Sequence, residues 1–150
     1  MAVKPIPDGF HTVTPYLIVS DAHGVIEFMQ KAFGAELMFP PMCRPDGGVM
    51  HAELQVGTSR VMLAQGCGEF PPMPAMLHLY VEDVDATYQR AVAAGGVSVR
   101  EPENQFYGDR SGGVKDVSGN QWFISSHVED VSREEMEKRA EAYNAKQTTS

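Results

Sequence analysis

Offset by 62 positions, this chain pairs Leu17 with Leu79, Val19 with Val81, Asp21 with Asp83 and Gly34 with Gly96. An internal repeat of that kind constrains the fold more than composition does, because each copy must be a unit that buries its apolar face against a neighbour. Residues 12–20 are β-branched and aromatic and read as a strand; Ala22, Val25, Ile26, Met29, Ala32 and Phe33 then recur at helical spacing. Ser20 or Asp21 suits the start of that helix, and Gly34 its end. Extended stretches at 36–42, 49–56 and 60–64 follow, separated by Pro45-Asp46-Gly47-Gly48 and Gly57-Thr58-Ser59. After a Gly/Pro-rich connector at 66–74 the order restarts. A strand at 76–81 leads to a helix with Val84, Tyr88, Ala91 and Val92 inward and Gly95 at its end, then to extended pieces at 97–101, 112–117 (interrupted by a loop) and 121–125. Residues 1–150 thus read as one α+β domain with two βαβββ modules, about 12–65 and 75–126. Ser132-Arg133-Glu134-Glu135 has capping-box form and Met136, Ala140 and Tyr143 make a narrow stripe, which predicts a C-terminal helix over about 132–146. A single helix covers one face of each module's sheet, so the open faces should enclose a concave site, shared between modules or between two chains.

Charge narrows the partners. Twelve Lys plus Arg stand against 20 Asp plus Glu, a net −8, so nucleic acid and anionic membrane surfaces should be repelled. No apolar run approaches the roughly 18 residues a membrane span needs, and residues 1–10 lack a basic segment followed by an apolar one. The expectation is a cytoplasmic protein. Cys43 and Cys67 form no CxxC pair and read as small buried hydrophobes in a reducing compartment. No P-loop or GxGxxG run is present, so nothing points to a nucleotide.

The runs HTVTPYLIVSDA (11–22), VMHAELQVG (49–57), LHLYVEDVDA (77–86), FYGDRSGGVKD (106–116) and SGNQWFISSHVEDVS (118–132), in this order, resemble the vicinal oxygen chelate superfamily, in particular its PhnB-like glyoxalase/bleomycin-resistance branch. The resemblance implies mixed half-barrel sheets, a homodimer whose modules close them, and a cavity for a small organic molecule. It also implies, for metal-dependent members, four His, Gln or Glu ligands from the first and last strand of each module. Placed by the motifs, those positions here are Thr14, Leu63, Met76 and Phe123. A thioether, an isobutyl group and a phenyl ring cannot hold a hard divalent cation, so the usual metal site is expected to be absent.

If Met76 faces the cavity, alternation along the strands brings His78 and Tyr80 with it, Tyr16 and Ile18 with Thr14, Gln65 with Leu63, and Gln121 and Ser125 with Phe123. That aromatic, apolar and amide lining suits an organic ligand. Trp122 has the opposite parity and should lie under a helix. Tyr107 and Arg110 sit in the Tyr107-Gly108-Asp109-Arg110 segment; Arg110 can fork onto a ligand carboxylate or phosphonate, or pair with Asp109 at the surface. His51 and Glu53, two apart on one strand, share a face. With His78 they would make a two-His, one-carboxylate site for a divalent metal; without it they are a solvated or hydrogen-bonded pair. His78 alone reads either as a general base or as a satisfied core histidine. His11, His23 and His127 sit at termini or helix starts and carry no functional reading. The leading reading is metal-independent ligand binding; the alternative is a metal-dependent lyase, isomerase or dioxygenase using His51, Glu53 and His78.

Overall fold

The computed structural model describes residues 2–149. The first module runs β1 (Tyr16–Val19), α1 (Ala22–Phe33), β2 (Glu36–Leu37), β3 (Met42–Cys43), β4 (Val49–Val56) and β5 (Ser59–Gln65). The second runs β6 (Met76–Tyr80), α2 (Val84–Ala93), β7 (Val97–Asn104), β8 (Asp109–Lys115) and β9 (Gln121–His127), with α3 (Arg133–Thr149) appended. The sheets order as β1-β5-β4-β2, with β3 also on β4, and β6-β9-β8-β7. In each, the strand before the helix pairs parallel with the last strand of its module, and the remaining pairs are antiparallel. The fold is α+β, and neither sheet closes into a barrel.

The repeated aspartates are the helix caps. The Asp21 carboxylate accepts from the Gly24 amide at 3.0 Å and the Asp83 carboxylate from the Ala86 amide at 3.1 Å, each satisfying a donor the helix leaves over. Gly34 ends α1 at φ 65°, a left-handed conformation that a side chain would strain. The Glu135 amide donates to Ser132 Oγ at 3.1 Å, so α3 starts with the predicted cap.

Both helices lie on the same side and pack against each other. Beneath them Leu17, Leu54 and Leu63 meet Val25 and Met29 in a core that also takes Val114, Trp122 and Ile124 from the second module. Trp122 lies 5.1 Å from Phe33 and 6.2 Å from Phe28, ring centre to ring centre, and donates its Nε1–H to Asp116. Burying each such large apolar side chain stabilises by roughly 1.5–3 kcal/mol, so Trp122 ties α1 to the second sheet as well as to its own. The turn before β9 adds a polar tie: Ser118 Oγ accepts from the Asp21 amide at 3.0 Å.

Several elements depart from the sequence reading. The first strand is Tyr16–Val19, shorter than 12–20, because Pro15 has no amide to donate. The stretch at 36–42 splits into β2 and β3 across Pro40-Pro41. Asp109 and Arg110 open β8 instead of interrupting it; the turn is Phe106-Tyr107-Gly108. Cys43 and Cys67 are free and exposed, one on a two-residue edge strand and one in the connector, and neither is a core residue.

Candidate functional site

Among the described residues no helix covers the far face of either sheet, and the strand register decides which side chains stand there. In the first module Tyr16 pairs with Met62, and Leu17 with Leu63. Leu63 therefore points to the helices, fully buried in the core at 0% exposure, and Met62 takes the open-face position expected for Leu63. Gln65 shares the parity of Leu63. Its Oε1 lies 3.5 Å from the Ala22 amide, at the start of α1. Thr14 precedes β1, half-buried, with its hydroxyl donating to the His11 carbonyl at 3.3 Å.

In the second module His78 pairs with Phe123 and Met76 with Gln121, which puts Met76, His78, Tyr80, Gln121 and Phe123 on the open face as alternation requires. Gly113, opposite Phe123, leaves room for the ring: a Cβ there would stand 3.0 Å from the phenyl. Arg110 has the other parity. It points to the helix side and forks onto Asp85 of α2 at 2.8 and 2.9 Å, so it is committed to an ion pair that tethers α2. Tyr107 packs edge-on against Phe106 in the β7–β8 turn, near enough to Tyr80 to add, after Asp109, to the rise in its pKa.

Two polar chains stand on these faces. In the first module the Tyr16 hydroxyl lies 3.0 Å from His51 Nδ1, and His51 Nε2 lies 3.1 Å from Glu53 Oε1. A carboxylate only accepts, so Nε2 carries the proton and Nδ1 accepts from Tyr16. Glu53 is in turn 3.5 Å from Arg60, whose guanidinium also donates to Gln55 and lies 4.7 Å from the Phe10 ring centre. Burial, and then the Glu53 charge, raise the pKa of Tyr16 above the ordinary phenol value.

In the second module Asp109, 4% exposed, accepts from Tyr80 at 2.7 Å and from His127 Nδ1 at 2.8 Å; His127 Nε2 donates to Asp130 at 2.8 Å. With a carboxylate on each nitrogen, His127 donates at both. The Asp109 and then the Asp130 hydrogen bonds raise its pKa. Burial alone would raise that of Asp109, but the hydrogen bonds from His127 and Tyr80 outweigh it and the net shift is downward. Tyr80 is held protonated, chiefly by its bond to Asp109. Neither Asp109 nor His127 was singled out from the sequence. Their signal was the period-two spacing Asp109, Ser111, Gly113 against Phe123, Ser125, His127, which shares one face once β8 is extended back to Asp109.

Between the modules runs a cleft of about 1100 Å³, lined among others by Tyr16, Phe33, Met76, His78, Tyr80 and Trp122. A second cavity of about 470 Å³ lies on the first module, lined by Tyr16, Ile18, Arg44, Met50, Ala64 and Phe70 among others. His51 and Glu53 are together, but His78 belongs to the other module. Among the described residues no group of three His, Cys, Asp or Glu is spaced to hold a metal ion. Of the four positions that the resemblance assigns, Thr14, Leu63, Met76 and Phe123, Leu63 lies in the core, and with its open-face neighbour Met62 in its place the set still does not fit a hard divalent cation.

A family profile described as the Glyoxalase/Bleomycin resistance protein/Dioxygenase superfamily matches residues 9–124. The chain belongs to this superfamily. It is 39% identical over 137 residues to an uncharacterised protein of Mycobacterium bovis, covering 83% of this chain and 89% of that one. Among solved structures, TioX from Micromonospora sp. ML1 shares the fold with a TM-score of 0.65 at 23% identity, over 79% of this chain and 99% of that one. A glyoxalase-related enzyme from Fulvimarina pelagi does so with a TM-score of 0.60 at 20% identity, over 77% and 87%. On the open faces of this chain stand Tyr16 and Met62 in the first module and Met76, His78, Tyr80 and Phe123 in the second.

Proposed function

We propose that this protein binds a small organic molecule, without a metal ion, in the cleft between its modules. The observation that carries this is the lining: Phe33, Leu77, Met76 and Tyr80 offer apolar and stacking surface, with Tyr16, His78 and Glu82 among the polar groups, in a volume that suits a drug-sized ligand. The five sequence runs favour placement in the PhnB-like branch. Two free cysteines fit a reducing, cytoplasmic setting.

The functional unit is a homodimer on this reading. Met76 and Tyr80 are 68% and 65% exposed on β6, an edge strand with one side unpaired among the described residues. Apolar groups on an open strand edge are a liability unless something covers them. A second copy, laying one of its half-barrels against this one, supplies that cover.

The test is metal reconstitution followed by ligand search. Metal-stripped protein offered Mn, Fe, Co, Ni and Zn in turn should retain none, and a compound bound in the cleft should be recovered unchanged. Stoichiometric metal that is lost on His51→Ala or His78→Ala would overturn this reading and install a metal-dependent lyase, isomerase or dioxygenase. Sedimentation should show two chains per particle, and Met76→Arg should return it to one.

A further inference from the structure

The contacts that hold the two modules together are open equally to a second copy of the chain. Trp122 would meet Phe28 and Phe33, and Ser118 the Asp21 amide, whichever chain supplied each module. What decides between pairing within a chain and exchange between chains is therefore the connector, residues 66–75. Its backbone is tied down almost throughout. The Gly66 amide donates to the Val19 carbonyl at 2.8 Å, Cys67 and Phe70 close a tight turn with bonds of 3.0 and 2.9 Å, and the Met73 amide donates to the Ile18 carbonyl at 3.0 Å. Arg44 adds a side-chain hold, donating to the Gln65 carbonyl and the Cys67 sulfur, each at 3.4 Å. Gly66 packs so closely on Pro72 that a Cβ there would stand 2.6 Å from the proline ring and 2.8 Å from its nitrogen. All of these anchors belong to the first module or to the connector itself. At Ala75 the chain passes to the second: its amide donates to Asn120 Oδ1 and its carbonyl accepts from the Gln121 amide, each at 2.8 Å. Between the last anchor on one module and the first on the other stands Pro74 alone, and two residue steps span at most about 7 Å. Neither module can reach another chain until Met73 leaves Ile18. Once it does, the freed run Pro71-Pro72-Met73-Pro74 has a single amide and ring-fixed φ angles, so it stands extended, the shape an exchanged hinge needs.

We propose that the Met73–Ile18 bond and the Gly66–Pro72 contact form a lock that keeps both modules of each chain together, so that a second copy docks without exchanging a module. The lock also covers part of the free edge of β1, since the Met73 amide occupies the Ile18 carbonyl and the prolines beside it offer no donor for further pairing. It is a property of one chain, and only the docking of a second copy rests on the homodimer reading.

The experiment reads which chain each module comes from. Ser20 and Ser118 meet across the modules, hydroxyl to hydroxyl at 3.2 Å, so Ser20→Cys with Ser118→Cys places two thiols within reach. Cys43→Ser and Cys67→Ser remove the two native thiols, and the serine at 67 keeps a polar atom facing Arg44. This chain is refolded from denaturant at low and at high concentration, oxidised, and run on a denaturing gel without reductant. With the native connector the disulfide should close within one chain at every concentration. Met73→Pro, which removes the amide, should raise the two-chain product at high concentration about tenfold, the worth of one backbone hydrogen bond. Gly66→Val, which forces Pro72 away, should raise it through a different contact, so the test stands even where Met73→Pro does not fold. A two-chain product from the native connector, or no increase in the variants that fold, would overturn the lock. Sedimentation of the same samples separates this from the dimer itself. Particles of one chain with the disulfide closed inside it support the lock and overturn the homodimer, whereas particles of two chains with the disulfide closed inside each support both.

Discussion

The two modules share an element order and differ in what their open faces do with a histidine. His51 lies between a phenol and a carboxylate and keeps one nitrogen as an acceptor. His127 lies between two carboxylates and donates from both. The first arrangement leaves the ring one accepting nitrogen; the second leaves it none. The difference teaches that a duplicated scaffold fixes where side chains stand without fixing their chemistry. The cores differ as well: most of the buried apolar residues come from the first module, and the second contributes Val84, Ala91, Val114, Trp122 and Ile124. Leu79 of β6 and Val81 just after it are only half-buried, where their repeat partners Leu17 and Val19 are fully buried.

The largest test of that asymmetry is Trp122→Ala. Because Trp122 packs on Phe28 and Phe33 of α1, its loss should cost about 3–5 kcal/mol and lower a single cooperative denaturant transition. Two separate transitions would show instead that the modules fold apart. Next comes the pair Leu63→Ala and Met62→Ala. The first should cost about 2–5 kcal/mol and the second under about 1.5 kcal/mol, since Leu63 is in the core and Met62 is half-buried on the open face. The reverse order would restore Leu63 to the cavity. Tyr16→Phe removes one partly exposed hydrogen bond and should cost less than about 1.5 kcal/mol by the same measurement.

The second module should answer to pH. Asp109 has a lowered pKa, so its contribution is present above the unfolded carboxylate value and is lost as pH falls through the folded one. His127 has a raised pKa, so its contribution is complete below the unfolded value and is lost as pH rises through the folded one. The pair is strongest between about pH 4 and about pH 6.5. A proton NMR titration of the His127 ring should give a midpoint above the ordinary histidine value, and Asp109→Asn should bring it down; an unchanged midpoint would detach the two residues. The smallest effect belongs to Arg139→Ala. Arg139 holds α3 to Glu129 and to the Phe106 carbonyl, so hydrogen exchange should quicken in α3 and nowhere else.

Much of this architecture is written in local patterns. Asp21, Gly34, Asp83 and Ser132 sit where helix ends need them, and the opposed parity of Trp122 and Phe123 placed one in the core and one on the open face. Reading failed where neighbouring residues are chemically alike. Val61, Met62, Leu63 and Ala64 are all apolar, so the run carries no alternation to say which pair faces the helices, and only its pairing with β1 decides. Arg110 was ambiguous because its partner, Asp85, lies on another element, 25 residues away. His127 sits beside the acidic Glu129-Asp130 stretch and looks like a solvated terminus until Asp109 is brought opposite.

Trp122 is the single tryptophan in the chain, and it lies on the wall of the larger cleft. The protein therefore carries its own optical reporter. Its emission should respond when a compound enters the cleft, and should stay silent when the smaller cavity fills, since no tryptophan lines it. One fluorescence trace thus assigns a new ligand to one cavity or the other.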